Sequence, residues 1–219
     1  MKESPPKGQY IGESAISWTL GEAIRPACSA RVLRVYRRLK ELQGLSRLEV
    51  LDVVPSYTTI TVYFCPVRAD IPRIKGCVEE VIGSESHCDV GDGPATLPDD
   101  TALTLPVRYE GDDLTRVAAH CGLTTEVVVA LHTRSVYTVA VIGFLPHFPY
   151  LVGLDEKLAT PRLDAPRTRV PAGSVAIGGS QTGVYPADSP GGWNIIGDTD
   201  PSLLETLSPG DRVVFREHP

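Results

Sequence analysis

Three groups of residues in this chain of 219 residues have types and spacings that could do chemistry. The densest is Gly178-Gly179-Ser180-Gln181-Thr182-Gly183-Val184-Tyr185-Pro186, running through Ser189-Pro190-Gly191-Gly192-Trp193 to Gly197. Glycine admits backbone angles and close approaches that other residues forbid, and proline fixes φ and removes a donor. A segment built this way holds Gln181, Thr182, Tyr185 and Trp193 in one loop shape, which reads as a binding site or the rim of an interface between subunits. The same composition also suits the tight corners of a β-barrel, with Trp193 filling a core. The second group is Gly143-Phe144-Leu145-Pro146-His147-Phe148-Pro149-Tyr150, where His147 has the right chemistry for an acid or base, because imidazole titrates near neutrality. A plain loop histidine is the alternative. The third is Pro161-Arg162 with Pro166-Arg167-Thr168-Arg169, whose stiff Pro-Arg steps could present guanidinium forks to carboxylates. Solvated surface charge is the competing reading.

Self-contained catalytic signatures are missing. The sequence holds no G-x-x-x-x-G-K-[ST] cradle, no G-x-G-x-x-G and no H-E-x-x-H helix. Thr182 stands where G-x-S-x-G requires its last glycine, so Ser180 is a poor nucleophile-elbow serine. The five cysteines form no C-x-x-C pair, and Cys77 with His87-Cys88 is the nearest approach to a metal cluster. No metal site and no disulfide framework is expected. A formal charge of −6 and a pI near 5.4 argue against general nucleic-acid binding, which needs clustered Lys and Arg. No apolar run approaches the roughly 20 residues that span a bilayer, and Met1-Lys2-Glu3-Ser4-Pro5-Pro6 has no apolar h-region. A cytoplasmic location with reduced thiols is the expectation.

The elements that must position these groups fall into two sets. Ala15 to Leu20 reads as a strand, and Pro26 to Gln43 as a helix with Val32, Val35, Leu39 and Leu42 at helical spacing. Leu48 to Val54 and Tyr57 to Phe64 are β-branched strands, and Ile74, Val78, Val81 and Ile82 mark a helix ended by Gly83. These make an N-terminal α/β sandwich over residues 1–92, with the Gly- and Pro-bearing run 83–102 as linker. In residues 93–219, Ala102 to Tyr109 is a short strand. Asp112 or Asp113 caps a helix carrying Leu114, Val117, Ala118 and Cys121, and a second helix starts at Thr124. The pair has helix-turn-helix spacing, but the second helix lacks phosphate-facing charge, so a structural hairpin is expected. Val136 to Ile142, Gly173 to Gly178, Trp193 to Gly197 and Arg212 to Arg216 are strands with elaborate connections, which suggests a small closed barrel and an α+β chain overall.

Taken together, Gly143-Phe144-Leu145-Pro146, Phe148-x-Tyr150-Leu151, Gly153-Leu154-Asp155, Pro161-Arg162, Pro166-Arg167, Val170-Pro171-Ala172-Gly173-Ser174-Val175 and the run from Gly179 to Trp193 closely resemble the B subunit of bacterial 5-oxoprolinase. That family also contains allophanate hydrolase subunit 1-type proteins and the sporulation kinase inhibitor KipI. The resemblance is dense from about Val107 to Phe215 and thinner at Val53-Val54-Pro55-Ser56-Tyr57 and Val62-Tyr63. It implies a cyclophilin-like β-barrel as the second domain. It implies a KipA-like C subunit and a LamB/YcsF-like A subunit as partners, and a small cyclic amide as substrate. The implied reaction is ATP-dependent opening of 5-oxo-L-proline to L-glutamate, with ATP used by the assembled complex and no cofactor held by this chain alone.

On that resemblance Gln181, Thr182 and nearby amides would orient the substrate beside Tyr185, and Arg162 or Arg167 would meet its carboxylate. His147 would be the catalytic group, and Pro190, Gly191, Gly192, Trp193 and Asp198 would form a loop or interface. The resemblance also allows inhibition of a sensor histidine kinase, or half of a biotin-dependent urea or amide carboxyltransferase. The chain departs from the family pattern twice. His147 stands where Gly usually follows Gly-Phe-x-Pro, and Asp198 stands where Gly-Arg-Thr usually follows the Trp.

Overall fold

The computed structural model describes residues 6–42, 44–85 and 102–218. The chain divides into two compact units between Ala95 and Thr96. The expected boundary at residues 92 and 93, most of the linker, and the His87-Cys88 pair lie outside the described residues.

The first unit is a four-stranded antiparallel sheet in the order β1 (Gln9–Ile11), β2 (Ala15–Thr19), β4 (Thr59–Phe64), β3 (Val50–Pro55). Alternation decides which side chains turn inward: Ile16 and Trp18 on β2, and Ile60, Val62 and Phe64 on β4, are all fully buried. Two helices supply the other half of this core. α1 (Pro26–Glu41) offers Val32, Val35 and Leu39, and α2 (Ile71–Ser84) offers Ile74, Val78 and Ile82. The Asp70 carboxylate accepts from the Arg73 backbone N–H at 3.2 Å and caps α2. That helix runs through Gly83, which the sequence suggests as its stop, and ends at Ser84.

The second unit is built on a seven-stranded sheet in the order β12 (Asn194–Asp198), β9 (Ser174–Gly178), β10 (Gln181–Val184), β7 (Pro149–Val152), β6 (Val136–Ile142), β13 (Arg212–Glu217), β5 (Leu103–Val107). The two ends of that order meet. Arg108, just past β5, exchanges two backbone hydrogen bonds of 3.0 Å with Asp198 at the end of β12. An isolated bridge in place of a ladder makes the barrel almost closed. Leu105, Val107, Tyr137, Val139, Leu151, Val175, Ile177, Ile196, Val213 and Phe215 fill its core. α3 (Leu114–Cys121) and α4 (Thr125–Arg134) pack on it at 91° to each other. Gly122 at φ 67 ends α3, and the Thr124 hydroxyl caps α4 by accepting from Val127 N–H at 3.4 Å. Both helices contribute buried residues to the barrel core, but at 91° they form a corner and not the antiparallel hairpin expected. A two-stranded ribbon, β8 (Arg167–Val170) with β11 (Ser189–Gly191), lies outside the main sheet.

A larger expectation is overturned. The glycine-rich run reads as a loop, but Gln181–Val184 is a buried strand hydrogen-bonded on both sides. The turn is confined to Gly179-Ser180, with Gly179 at φ 64.

Candidate functional site

The barrel wall has two faces at β10, and the side chains divide by strand alternation. Thr182 and Val184 turn inward, while Gln181, Gly183 and the following Tyr185 turn outward. Outside, a second aromatic cluster forms from Phe148, Tyr185, Trp193, Ile195, Val170 and Ala176, with Tyr150 and Leu145 at its margin. The Trp193 indole lies flat against backbone: a Cβ at Gly178 would come within 2.5 Å of it. A Cβ at Gly183 would meet Trp193 at 3.2 Å and the Pro149 carbonyl at 2.8 Å. The glycines are therefore there to seat the ring. Phe148 and Tyr150 meet Trp193 edge-on at 5.9 and 5.7 Å, and Phe148 meets Tyr185 edge-on at 5.1 Å.

Arg162 stands over this floor, its Cζ 5.6 Å from the Trp193 ring centre. Its backbone is pinned on both sides. The Asn194 amide donates to Pro161 C=O at 3.0 Å, and Leu163 N–H donates to Gly192 C=O at 2.7 Å. Upstream, Thr160 and Gly179 exchange backbone hydrogen bonds of 3.1 and 2.8 Å. The guanidinium itself makes no hydrogen bond or ion pair with any described residue. Burial pushes the Tyr150 and Tyr185 phenols above their ordinary values, and the Arg162 charge opposes both shifts. Gln181 is 8% exposed, and its side-chain amide also has no hydrogen-bond partner among the described residues.

Two buried polar groups hold this face in place, and neither stands out in the sequence. Asn194 is fully buried and uses its whole amide: Oδ1 accepts from Arg116, and Nδ2 donates to Pro161 and Ile177 carbonyls at 3.0 Å each. Asp113 precedes α3, yet its side chain caps nothing, contrary to expectation. Its Oδ2 instead accepts from Ile195 N–H at 2.8 Å, and its Oδ1 from Arg167 Nη2 at 2.8 Å. Arg167 is thus a strut tying β8 to the start of α3 and to β12. Gly191 lies against the Tyr185 hydroxyl, where a Cβ would come within 2.4 Å, and Pro190 is exposed on the same ribbon.

The inner face is different in kind. The Thr182 hydroxyl donates to Ala176 C=O at 3.0 Å and must therefore accept from His132 Nε2–H, also at 3.0 Å. His132 Nδ1 is then an acceptor, 2.7 Å from the Tyr109 hydroxyl. Burial lowers the His132 pKa to about 3 and keeps the Tyr109 proton in place, so the chain Tyr109–His132–Thr182–Ala176 is neutral and directional. The imidazole also packs on Phe215, ring centres 4.5 Å apart. Thr182 is spent inside the barrel.

His147 lies elsewhere again. It lines an open groove of about 400 Å³ with Leu145, Pro146, Pro186, Pro201 and Glu205. Its φ is 64°, and Phe144 in the same turn sits at 69°. Both are in the left-handed region that favours glycine. Asp198 is on the barrel seam, where its carboxylate pairs with the Arg108 guanidinium through both oxygens at 3.0 and 3.1 Å. Of the residues singled out in the sequence, the structure brings together Arg162, Tyr185 and Trp193, with Gly191 and Gly192 beside them, and Gln181 shares the outer face of β10. It sets Thr182, His147 and Asp198 in three other places. No group of three or more His, Cys, Asp or Glu that could hold a metal occurs among the described residues.

Comparison with known proteins places the chain. Residues 6–209 match the carboxyltransferase domain, subdomain C and D. The chain is 39% identical to the 5-oxoprolinase B subunit of Escherichia coli O157:H7, covering 94% of this chain and 93% of that protein. It is 35% identical to the B subunit of Haemophilus influenzae, covering 94% of each, and 33% identical to that of Bacillus subtilis, covering 94% and 90%. Among solved structures, TTHA0988 superposes with a TM-score of 0.75 at 33% identity, covering 94% of this chain and 40% of that chain. The Kluyveromyces lactis urea amidolyase shares the fold, with a TM-score of 0.74 at 18% identity, covering 98% of this chain and 15% of that one. This chain belongs to the family of 5-oxoprolinase B subunits, within the carboxyltransferase-domain proteins.

Proposed function

We propose that this protein is the B subunit of an ATP-dependent 5-oxoprolinase, working with a KipA-like C subunit and a LamB/YcsF-like A subunit to open 5-oxo-L-proline to L-glutamate. The observation that carries the reading is the end-to-end correspondence with three named B subunits, at 33–39% identity over 94% of the chain. Such a protein supplies part of a shared site, and the nucleotide is used by the assembled complex. The lactam is resonance-stabilised, so phosphorylating its carbonyl oxygen would make the ring carbon open to attack by water. The outer face of β10 supplies binding and orientation, through Gln181 and the aromatic floor. The almost closed barrel is, on this reading, of the cyclophilin-like type, and the complex is cytoplasmic.

The test is glutamate release from 5-oxoproline and ATP with this chain and its two partners, each omitted in turn. Activity that disappears without this chain supports the reading, and an assembled complex that yields no glutamate ends it. A second reading, half of a carboxyltransferase acting on urea or another amide, has its own support. The chain matches a carboxyltransferase domain, and 97 residues are 29% identical to a putative urea carboxylase of Emericella nidulans, covering 43% of this chain and 8% of that protein. Biotin-dependent carboxylation of urea by the reconstituted pair would favour it.

A further inference from the structure

We infer that the Arg162 guanidinium over Trp193 is a receptor for the carboxylate of a small cyclic-amide acid, with Gln181 reading the amide edge of the same molecule. The inference rests on the proposed function for the identity of the acid, and on geometry for the site.

A guanidinium is always charged and presents its N–H groups as a planar fork. In this unit four others end on carboxylates: Arg108 on Asp198, Arg134 on Asp155, Arg167 on Asp113 and Arg169 on Asp188. Arg162 has no such partner among the described residues, although Asp164 follows two positions later and the chain carries a net charge of −6. The residue is exposed to solvent, but on a backbone that is held. The hydrogen bonds at Pro161 and Leu163 fix its backbone, and Trp193 takes up one face of the fork. What remains open is an edge of N–H donors, the shape that a carboxylate fits through two parallel bonds.

The surroundings favour an anion there. Tyr150, Tyr185, Phe148 and Trp193 form an apolar floor on one side of the guanidinium. The Tyr150 and Tyr185 hydroxyls both lie within the field of Arg162. Gln181 adds the second point of recognition. It lies on the same outer face of β10, opposite Gly178, where the Trp193 indole rests. Its amide has one acceptor and two donors uncommitted within the described residues, which complements the N–H and C=O of a lactam. The site commits to carboxylate over phosphate, because a single guanidinium fork matches the two oxygens of a carboxylate.

The first experiment titrates the full chain with 5-oxo-L-proline, with 2-pyrrolidinone (the same lactam without its carboxylate) and with inorganic phosphate, following Trp fluorescence. Trp18 is fully buried in the other unit and serves as a constant background, and Trp193→Phe identifies the signal. The expected result is saturable binding of the acid, weakened roughly tenfold or more by Arg162→Gln and partly kept by Arg162→Lys. Pyrrolidinone should bind weakly and equally in all three proteins. The second experiment measures kcat and KM of the reconstituted complex. There Arg162→Gln should raise KM for 5-oxoproline at least about tenfold with kcat largely kept, as loss of uniform binding does.

If phosphate binds as tightly as the acid, or if Arg162→Gln changes neither affinity nor KM, the inference fails. A complex that is active and indifferent to Arg162 sinks the receptor and keeps the oxoprolinase reading. A complex that makes no glutamate, while the chain binds the acid through Arg162, does the reverse. Absence of acid binding by both chain and complex overturns the receptor outright.

Discussion

The inner and outer faces of β10 are one residue apart in sequence and opposite in physical character. Inward, Thr182 closes a neutral hydrogen-bond chain in which every donor and acceptor is matched and no proton can be moved cheaply. Outward, Gln181 and the neighbouring Arg162 hold polar capacity that the described residues do not use, above a floor of packed rings. A satisfied buried network rigidifies a wall, whereas unmet donors held in place invite a ligand. Polarity alone does not mark a site. What marks it is polarity that the fold holds still and leaves unspent.

The comparison can be broken from the inside first. His132→Ala should cost about 3 kcal/mol or more, because it empties a fully buried position and strands the Tyr109 hydroxyl, and urea denaturation measures it. The same residue gives a pH signature. His132 is held neutral in the folded protein with its pKa lowered to about 3, while unfolded histidine titrates near 6.5. The unfolded chain therefore takes up a proton first. The stability this residue contributes is complete above about pH 6.5 and is lost as pH falls toward 3, by at most about 1.4 kcal/mol per pH unit. Subtracting the His132→Ala curve from that of the natural protein isolates this slope, and a flat difference would refute the neutral chain.

Breaking the outer face should cost less. Gly178→Val drives a side chain into the Trp193 indole and should destabilise by about 2 kcal/mol, with red-shifted Trp emission and an unaltered His132 titration. If both faces respond together, they form one packing unit and the contrast between them fails. His147→Gly should instead gain about 0.5 kcal/mol, since it relieves a left-handed non-glycine residue at some cost in unfolded-state entropy. The same variant sharpens the assignment of chemistry: a proton-transfer role predicts a large fall in kcat of the complex despite the gain in stability. Smallest of all, Asp198→Ala should cost under about 0.5 kcal/mol and lose that effect in high salt, because its pair with Arg108 is half exposed.

Periodicity made most of the frame readable. Val32-Val35-Leu39, Ile74-Val78-Ile82, Leu114-Val117-Ala118 and the alternating β4 and β6 each declare their own burial, and the structure finds them as helices and strands. The short β10 declares nothing, because the ring that needs Gly178 on β9 and Gly183 on β10, Trp193, comes against them only when the sheet forms. β1, β7, β8 and β11 are three or four residues long, too short for alternation to declare them. Asp113 looks like a helix cap by position, but a backbone N–H and a guanidinium from other elements claim its carboxylate. His132, near a helix end with Arg134, looks like a solvated charge and is fully buried in the barrel. Arg162 could be named as a binding residue from its Pro-Arg step. That it would be left unpaired among the described residues, and Arg167 paired, is a property of the assembled wall.

The seam at Arg108 and Asp198 has a consequence for how the barrel comes into being. β5 is the first strand among the described residues of its unit, yet its ladder is with β13, the last, in parallel register from Leu103 opposite Val213 onward. On the other side, among the described residues, the bridge from Arg108 to Asp198 at the end of β12 is its one pairing. During synthesis β5 must therefore wait, with both edges unpaired, until almost the whole domain has emerged, and high contact order of this kind makes folding slow. Nascent chains of this protein would spend that interval with an open strand edge exposed, which makes them natural clients for a chaperone and prone to pair with one another when overproduced.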